Sequence, residues 1–179
     1  MLYMQLGTLN FTKIDTQTTL APEVVLRSIE DNKLDDVYIA AIDPSLADTA
    51  AFCEAYGIAL NASANCVIVE AKRAEKTWYA VCVVLATDRA DINGVVRKQL
   101  DARKVSFASM ESATQLTSME YGGITPIGLP ADWPIIIDSR VAESDKVIIG
   151  SGIRGSKILV TGALLATLPN TTVLDCVKV

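Results

Sequence analysis

The sequence predicts a mixed α/β or α+β domain whose sheet is largely antiparallel, on three observations. Two apolar runs, Cys66–Ala71 and Trp78–Ala86, flank the charged stretch Lys72–Lys76 and read as a β-hairpin with a five-residue loop, which demands antiparallel pairing. Strand-like and helix-like segments intermingle without the strict alternation of a parallel α/β sheet. Half of the 179 residues are apolar and 21% are charged, a composition that buries a core instead of staying disordered. The length is about 1.2 times a typical domain of roughly 150 residues, so one domain spanning 1–179 is expected.

The elements follow in order. Residues 1–20 are polar and Thr-rich, with one strand-like stretch, Leu2–Leu9. Pro22 suits the first turn of a short amphipathic helix spaced by Val25, Ile29 and Leu34. A strand at Val37–Ile42 precedes a helix that places Leu46, Ala50 and Cys53 on one face and stops at Gly57. After the hairpin, Ile92, Val96 and Leu100 return to helical spacing, with Arg97 and Asp101 as a solvent-side pair. A strand at Val105–Ala108, a helix at Glu111–Ser118 and strands at Ile135–Asp138, Lys146–Gly150 and Lys157–Val160 come next. A helix at Gly162–Leu168 and a strand at Thr172–Val177 complete the chain.

Composition removes whole classes of chemistry. There is no histidine, which excludes Ser-His-Asp and Cys-His catalysis, His-ligated zinc and histidine pH switching. The net charge of −5 and a pI near 4.7 argue against general binding to duplex DNA, while leaving room for a local basic patch such as Arg97–Lys104. Cys53, Cys66, Cys82 and Cys176 form no C-x-x-C pair and sit in apolar runs, as buried reduced thiols do. Neither a metal nor a cofactor is expected. Met1–Gly7 lacks a basic leader, and no apolar run approaches the ~18 residues of a membrane span, so the expectation is a cytoplasmic protein without a membrane partner.

Three segments are candidates for function. In Tyr121-Gly122-Gly123-Ile124-Thr125-Pro126-Ile127-Gly128, the paired glycines permit positive φ and leave backbone N–H groups to face a ligand, although a tight helix-to-strand loop needs the same residues. Gly150-Ser151-Gly152-Ile153-Arg154-Gly155 formally satisfies G-x-G-x-x-G, with Asp175 about 20 residues beyond as a ribose-binding acid would be in a dinucleotide-binding oxidoreductase. Against that, Ile158-Leu159-Val160 reads as strand and Gly162 would interrupt the required helix. At the start of the hairpin, Asn65 and Cys66 are adjacent on a strand and point to opposite faces, so one pocket is not expected to hold both.

The blocks Gly122–Pro126, Pro134-Ile135-Ile136-Ile137-Asp138 and Ile149–Gly155, in this order and spacing, resemble the YbaK/ProX family of aminoacyl-tRNA deacylases, related to the editing domain of bacterial prolyl-tRNA synthetases. The likeness runs from about Ala47 to Val173, leaving 1–45 as an N-terminal extension packed on a core of 46–179. It favours strand-turn-strand over a dinucleotide site. It implies a curved, partly barrel-like sheet flanked by helices, and an ester hydrolase that clears a small amino acid from a mischarged tRNA in trans. The partners it implies are the tRNA acceptor end and an aminoacyl-tRNA synthetase.

In that picture Gly122, Gly123, Ile124, Thr125 and Pro126 border the ester, and their N–H donors meet the developing oxyanion, an effect worth about 3–4 kcal/mol per donor. Gly150, Ser151, Gly152, Arg154 and Gly155 line the opposite side, Arg154 facing a phosphate, while Ile68 and Met119 help set pocket size. Family members usually carry a lysine at the start of the strand after the first matched helix. Here that position falls on Asn65, or on Cys66 with a one-residue slip, which leaves Lys72, Lys76 or Lys157 to bring a cation from elsewhere. The neutral Asn65 keeps a second reading open, a non-catalytic module of the same fold that binds a tRNA end or an aminoacyl-like ligand.

Overall fold

The computed structural model describes residues 3–15 and 18–179. Among the described residues, ten strands form two five-stranded sheets. The first contains β1 (Tyr3–Leu6), β2 (Leu9–Lys13), β3 (Tyr38–Ala41), β9 (Ser156–Val160) and β8 (Val147–Gly150), in that spatial order and antiparallel throughout. The second runs β10 (Thr171–Leu174), β7 (Ile135–Asp138), β5 (Lys76–Leu85), β4 (Ala64–Arg73), β6 (Lys104–Phe107). Its β4 pairs antiparallel with both neighbours, whereas β5, β7 and β10 are mutually parallel. A parallel bridge between Ser63 and Ile148 stitches the sheets together, so that they curl as a half-barrel.

Helices α1 (Glu23–Asp31), α2 (Thr49–Tyr56), α3 (Arg97–Gln99), α4 (Met110–Thr117), α5 (Ser139–Ala142) and α6 (Gly162–Ala166) flank the sheets. The alternation of side chains along a strand explains the layering. On β5, Val81, Val83 and Leu85 enter the main core between the sheets, while Ala80, Cys82 and Val84 face a second core beneath Ile92, Val96 and Val105. Burial on both faces is why Trp78–Ala86 reads as an unbroken apolar run. A third core packs Phe11, Phe52, Ile148 and Leu159 under α2. The buried Asp138 carboxylate accepts the Cys176 amide at 3.0 Å and thereby ties the C-terminal segment to β7.

Several expectations need correction. The single strand over Leu2–Leu9 is instead the β1–β2 hairpin, because Gly7 takes φ +56° and Thr8 donates to Tyr56 O at the end of α2; Leu2 itself lies outside the described residues. The buried face of α2 carries Phe52 and Cys53 while Ala50 is exposed, since a 3-10 turn at Pro44–Leu46 delays the helix to Thr49 and shifts its phase. The five-residue hairpin loop contracts to Ala74 and Glu75. Lys72 and Arg73 extend β4 into solvent, where they pair with Glu70 and Asp101. That pairing replaces the expected Arg97–Asp101 contact: the helix winds as a π-helix over Ile92–Val96 and ends at Gln99, leaving Asp101 beyond it in a left-handed conformation.

All four cysteines are unpaired, and burial pushes their thiols up, Cys82 and Cys176 to about 12. The folded chain therefore keeps protons that the unfolded chain releases near pH 9, so this contribution is complete below that pH and is lost above it. The melting midpoint is expected to fall steadily from pH 9 to pH 11, and Cys82→Ala, Cys176→Ala protein is expected to show a shallower fall when followed by circular dichroism.

Candidate active site

The outer edge of β4 is shared. Ser63 meets β8 at one end and Val69–Lys72 pair with β6 at the other, so Ala64–Val67 face neither strand fully. A cavity of about 300 Å³ opens in this fork. Its walls are the start of β4, the loop residues Tyr121, Gly122 and Ile124, the turn before α2 at Ala47–Thr49, and Gly150 and Lys157 where β8 and β9 begin to part. Both Asn65 and Cys66 line it, contrary to the expectation from strand alternation, because the wall here is the backbone edge of β4 and not one of its faces.

The glycines make the cavity possible. Glu120 N donates to Gly152 O at 2.9 Å and Gly152 N to Gly123 O at 2.6 Å, zipping the 120–124 loop onto the β8–β9 turn. A Cβ on Gly123 would lie 2.5 Å from the Ile153 carbonyl carbon, and one on Gly150 would lie 2.6 Å from Gly123 O. Gly122, at φ +86°, presses against the Arg154 guanidinium. The expectation that both glycine amides stay free is corrected for Gly123, whose N–H donates to Glu120 O at 3.0 Å to close the turn. The amides of Gly122 and Ile124 have no hydrogen-bond partner among the described residues and belong to residues that line the cavity.

Charge enters from β9. Lys157 is only 6% exposed; its Nζ donates to Ala47 O at 2.9 Å and sits 5.1 Å from the Phe52 ring centroid. Burial holds this ammonium below the usual lysine range, with Cys53 and Asp48 nearby partly opposing the shift. Across the cavity, Asn65 Oδ1 accepts from Thr49 Oγ1 at 2.7 Å, which orients the amide and leaves its NH₂ to donate. Of the three lysines considered for the missing cation, Lys157 is the one among the cavity residues. Lys72 pairs with Glu70 at 2.7 Å and Lys76 stands by the hairpin turn.

Other residues singled out from the sequence lie around the cavity, outside its lining. Arg154 donates Nε to Pro44 O at 3.2 Å and Nη1 to Tyr121 O at 3.1 Å, clamping two cavity walls together. Ser151 bonds Ser156 Oγ at 2.6 Å inside the turn, and Gly152 and Gly155 continue it. Thr125 and Pro126 lead into the interior, and the fully buried Thr125 hydroxyl has no partner among the described residues. Ile68 and Met119 are main-core residues. Sequence reasoning missed Asp48 and Thr49 altogether, and Tyr121 entered it only as the first residue of the glycine-loop segment. Residues 151–155 form the turn between antiparallel β8 and β9 and open no helix, which removes the dinucleotide-binding reading.

Residues 43–168 match the model of the aminoacyl-tRNA editing domain. The chain belongs to that family. The fold agrees with solved structures of low sequence identity. The chain superposes on a proposed trans-editing enzyme for prolyl-tRNA synthetase with TM-score 0.74 at 17% identity, covering 87% of this chain and 96% of that one. It superposes on the hypothetical protein APE2540 with TM-score 0.76 at 18% identity, covering 87% and 100% respectively. The family match begins just after β3, so β1, β2 and β3, which complete the first sheet, precede the matched region. No helix among the described residues is long and apolar enough to cross a membrane.

The loop contact sets the expected response to substitution. Gly123→Ala forces a Cβ onto the Ile153 backbone and is expected to cost about 1–3 kcal/mol. Gly123→Val should cost more and also close the cavity. Thermal melts of the two variants check this order, and a Gly123→Val protein as stable as wild type would show that the loops do not meet as described.

Proposed function

We propose that this protein hydrolyses, in trans, the ester that joins a small amino acid to a mischarged tRNA. The observation that carries the reading is the cavity in the β4 fork, lined by Gly122 and Ile124, whose amides have no partner among the described residues, by Asn65 and by the buried Lys157, in a chain without histidine. A water attacks the acyl carbon, and negative charge grows on the carbonyl oxygen. Fixed N–H donors in a partly dry site stabilise that charge without reorganising. The bond to the ribose oxygen then breaks, the oxygen takes up a proton, and free amino acid and tRNA leave.

In this reading Lys157 supplies the cation that Asn65 does not. Its position on β9 instead of β4 brings a positive charge to the same space from the opposite wall. A cavity of about 300 Å³ stands at the lower end of small-molecule sites and supports a small amino acid. Such an enzyme would work in the cytoplasm on the tRNA acceptor end, with an aminoacyl-tRNA synthetase as a natural associate.

A second reading, a binding module without turnover, draws support from the two polar side chains already engaged within the protein, Asn65 with Thr49 and Lys157 with Ala47. Deacylation of a panel of radiolabelled mischarged tRNAs separates the two. Release of one small amino acid well above a mock preparation is expected, and saturable binding with no release across the panel would establish the binding module. Lys157→Met is nearly isosteric and removes a buried charge, so its melting midpoint is expected to match or exceed wild type while deacylation falls at least roughly a hundredfold, as loss of an electrostatic stabiliser does. Unchanged turnover in Lys157→Met would remove this lysine from the mechanism.

A further inference from the structure

A second cavity, of about 660 Å³, lies on the other side of the β4 edge and shares Asn65 and Val67 with the first. A ligand seated in the first cavity can therefore continue into the second over Ala64–Val67, the stretch that β6 leaves uncovered. The floor is apolar, formed by Val67, Val84, Ile92 and Val105. At its rim stands Phe107, 68% exposed at the end of β6. Above this floor the wall is polar, with Asn65, Asn93, Ser106 and the charged Asp88, Arg89 and Lys178.

Two cations complete it. The bridge between Ala90 and Val177, with Lys178 N donating to Arg89 O at 2.8 Å, sets Arg89 and Lys178 directly across from one another. Both residues line the cavity, and neither has an acidic partner among the described residues. Asp88, an acid in the same lining, gives one oxygen to Arg140 at 3.0 Å, and its other, buried oxygen has no hydrogen-bond partner among the described residues. Two like charges held opposite each other are unfavourable by themselves. An anionic group between them would relieve that repulsion, and on a chain of net charge −5 this local excess of positive charge stands out. Paired cations beside an exposed aromatic ring and a flat apolar floor are the components that hold a phosphate and a stacked base of single-stranded nucleic acid.

Building on the proposed deacylase reading, we propose that this second cavity binds the unpaired nucleotide preceding the aminoacylated adenosine of the tRNA, with its phosphate between Arg89 and Lys178 and its base against Phe107. The small first cavity then takes the amino acid, and the bare edge of β4 carries the chain from one to the other. Sequence-independent grip on the single-stranded end would let the enzyme hold different tRNAs while the first cavity selects the amino acid.

The test compares two hydrolysis-resistant probes by calorimetry: alanyl-adenosine with an amide in place of the ester, and the same compound extended at its 5′ side by two cytidylates. The extended probe is expected to bind wild type at least roughly tenfold more tightly, an advantage that shrinks as salt rises. The double variant Arg89→Ser, Lys178→Ser should lose that advantage and its salt dependence. Phe107→Ala should lose most of the advantage and keep the salt dependence, and both variants should bind the short probe as wild type does. Equal affinity of wild type for the two probes, or an advantage that survives in both variants, overturns the second site alone. If neither probe binds wild type, the deacylase reading fails as well.

Discussion

The site rests on one steric constraint, the approach of two loops with nothing but backbone between them. Gly123 and Gly150 leave no space for a Cβ, and the bonds between Gly123, Gly152 and Glu120 hold the loops at that separation. Because the contact is made by main chain, it is as rigid as a sheet ladder and spends no side chain. The amides of Gly122 and Ile124 are thereby held beside the cavity, and the Arg154 guanidinium, braced against Gly122, fastens the same loop to Pro44. A residue with a side chain in either glycine position would push the loop away from β8 and separate the donors from the opposite wall.

The charge balance of the cavity follows from what surrounds it. A buried ammonium is costly unless other groups replace its water, and Lys157 has the Ala47 carbonyl, the face of Phe52 and the more distant Asp48 carboxylate. The lysine is thus held in place without a close ion pair that would cancel its field. Asn65, by contrast, is neutral and fixed by Thr49. In the proposed reaction the space between them receives the ester oxygen on which negative charge grows as water adds. Histidine has no place in this scheme, in keeping with its absence from the chain.

Much of the fold was legible because local pattern and tertiary environment agree. The apolar run of β5 is continuous because both of its faces are buried, and Gly57 ends α2 in the left-handed conformation expected of a helix stop. Where the reading failed, a neighbour distant in sequence had intervened. Gly7 turns because Tyr56 receives it, and Asp101 leaves its helix to meet Arg73. In the site, the Gly122-Gly123 pair and Gly150 were visible as unusual local sequence. Lys157 was visible only as one of three lysines, since a lone lysine within an apolar strand looks the same whether its stem crosses the core or its head reaches a cavity. Asp48 and Thr49 carried no local signal at all.

By itself the sequence determined the family and excluded histidine-based chemistry: the missing histidine and three ordered glycine- and isoleucine-containing blocks are properties of residue identity and spacing, which survive without coordinates. Only the tertiary structure decided which groups share a space. The fork of β4 between β8 and β6 brings residues 49, 65, 122 and 157 to one cavity, and the C-terminal bridge sets Arg89 against Lys178. Such meetings depend on sheet order and on which strand edge is left uncovered, and these are settled by long-range pairing that no local stretch of the chain encodes.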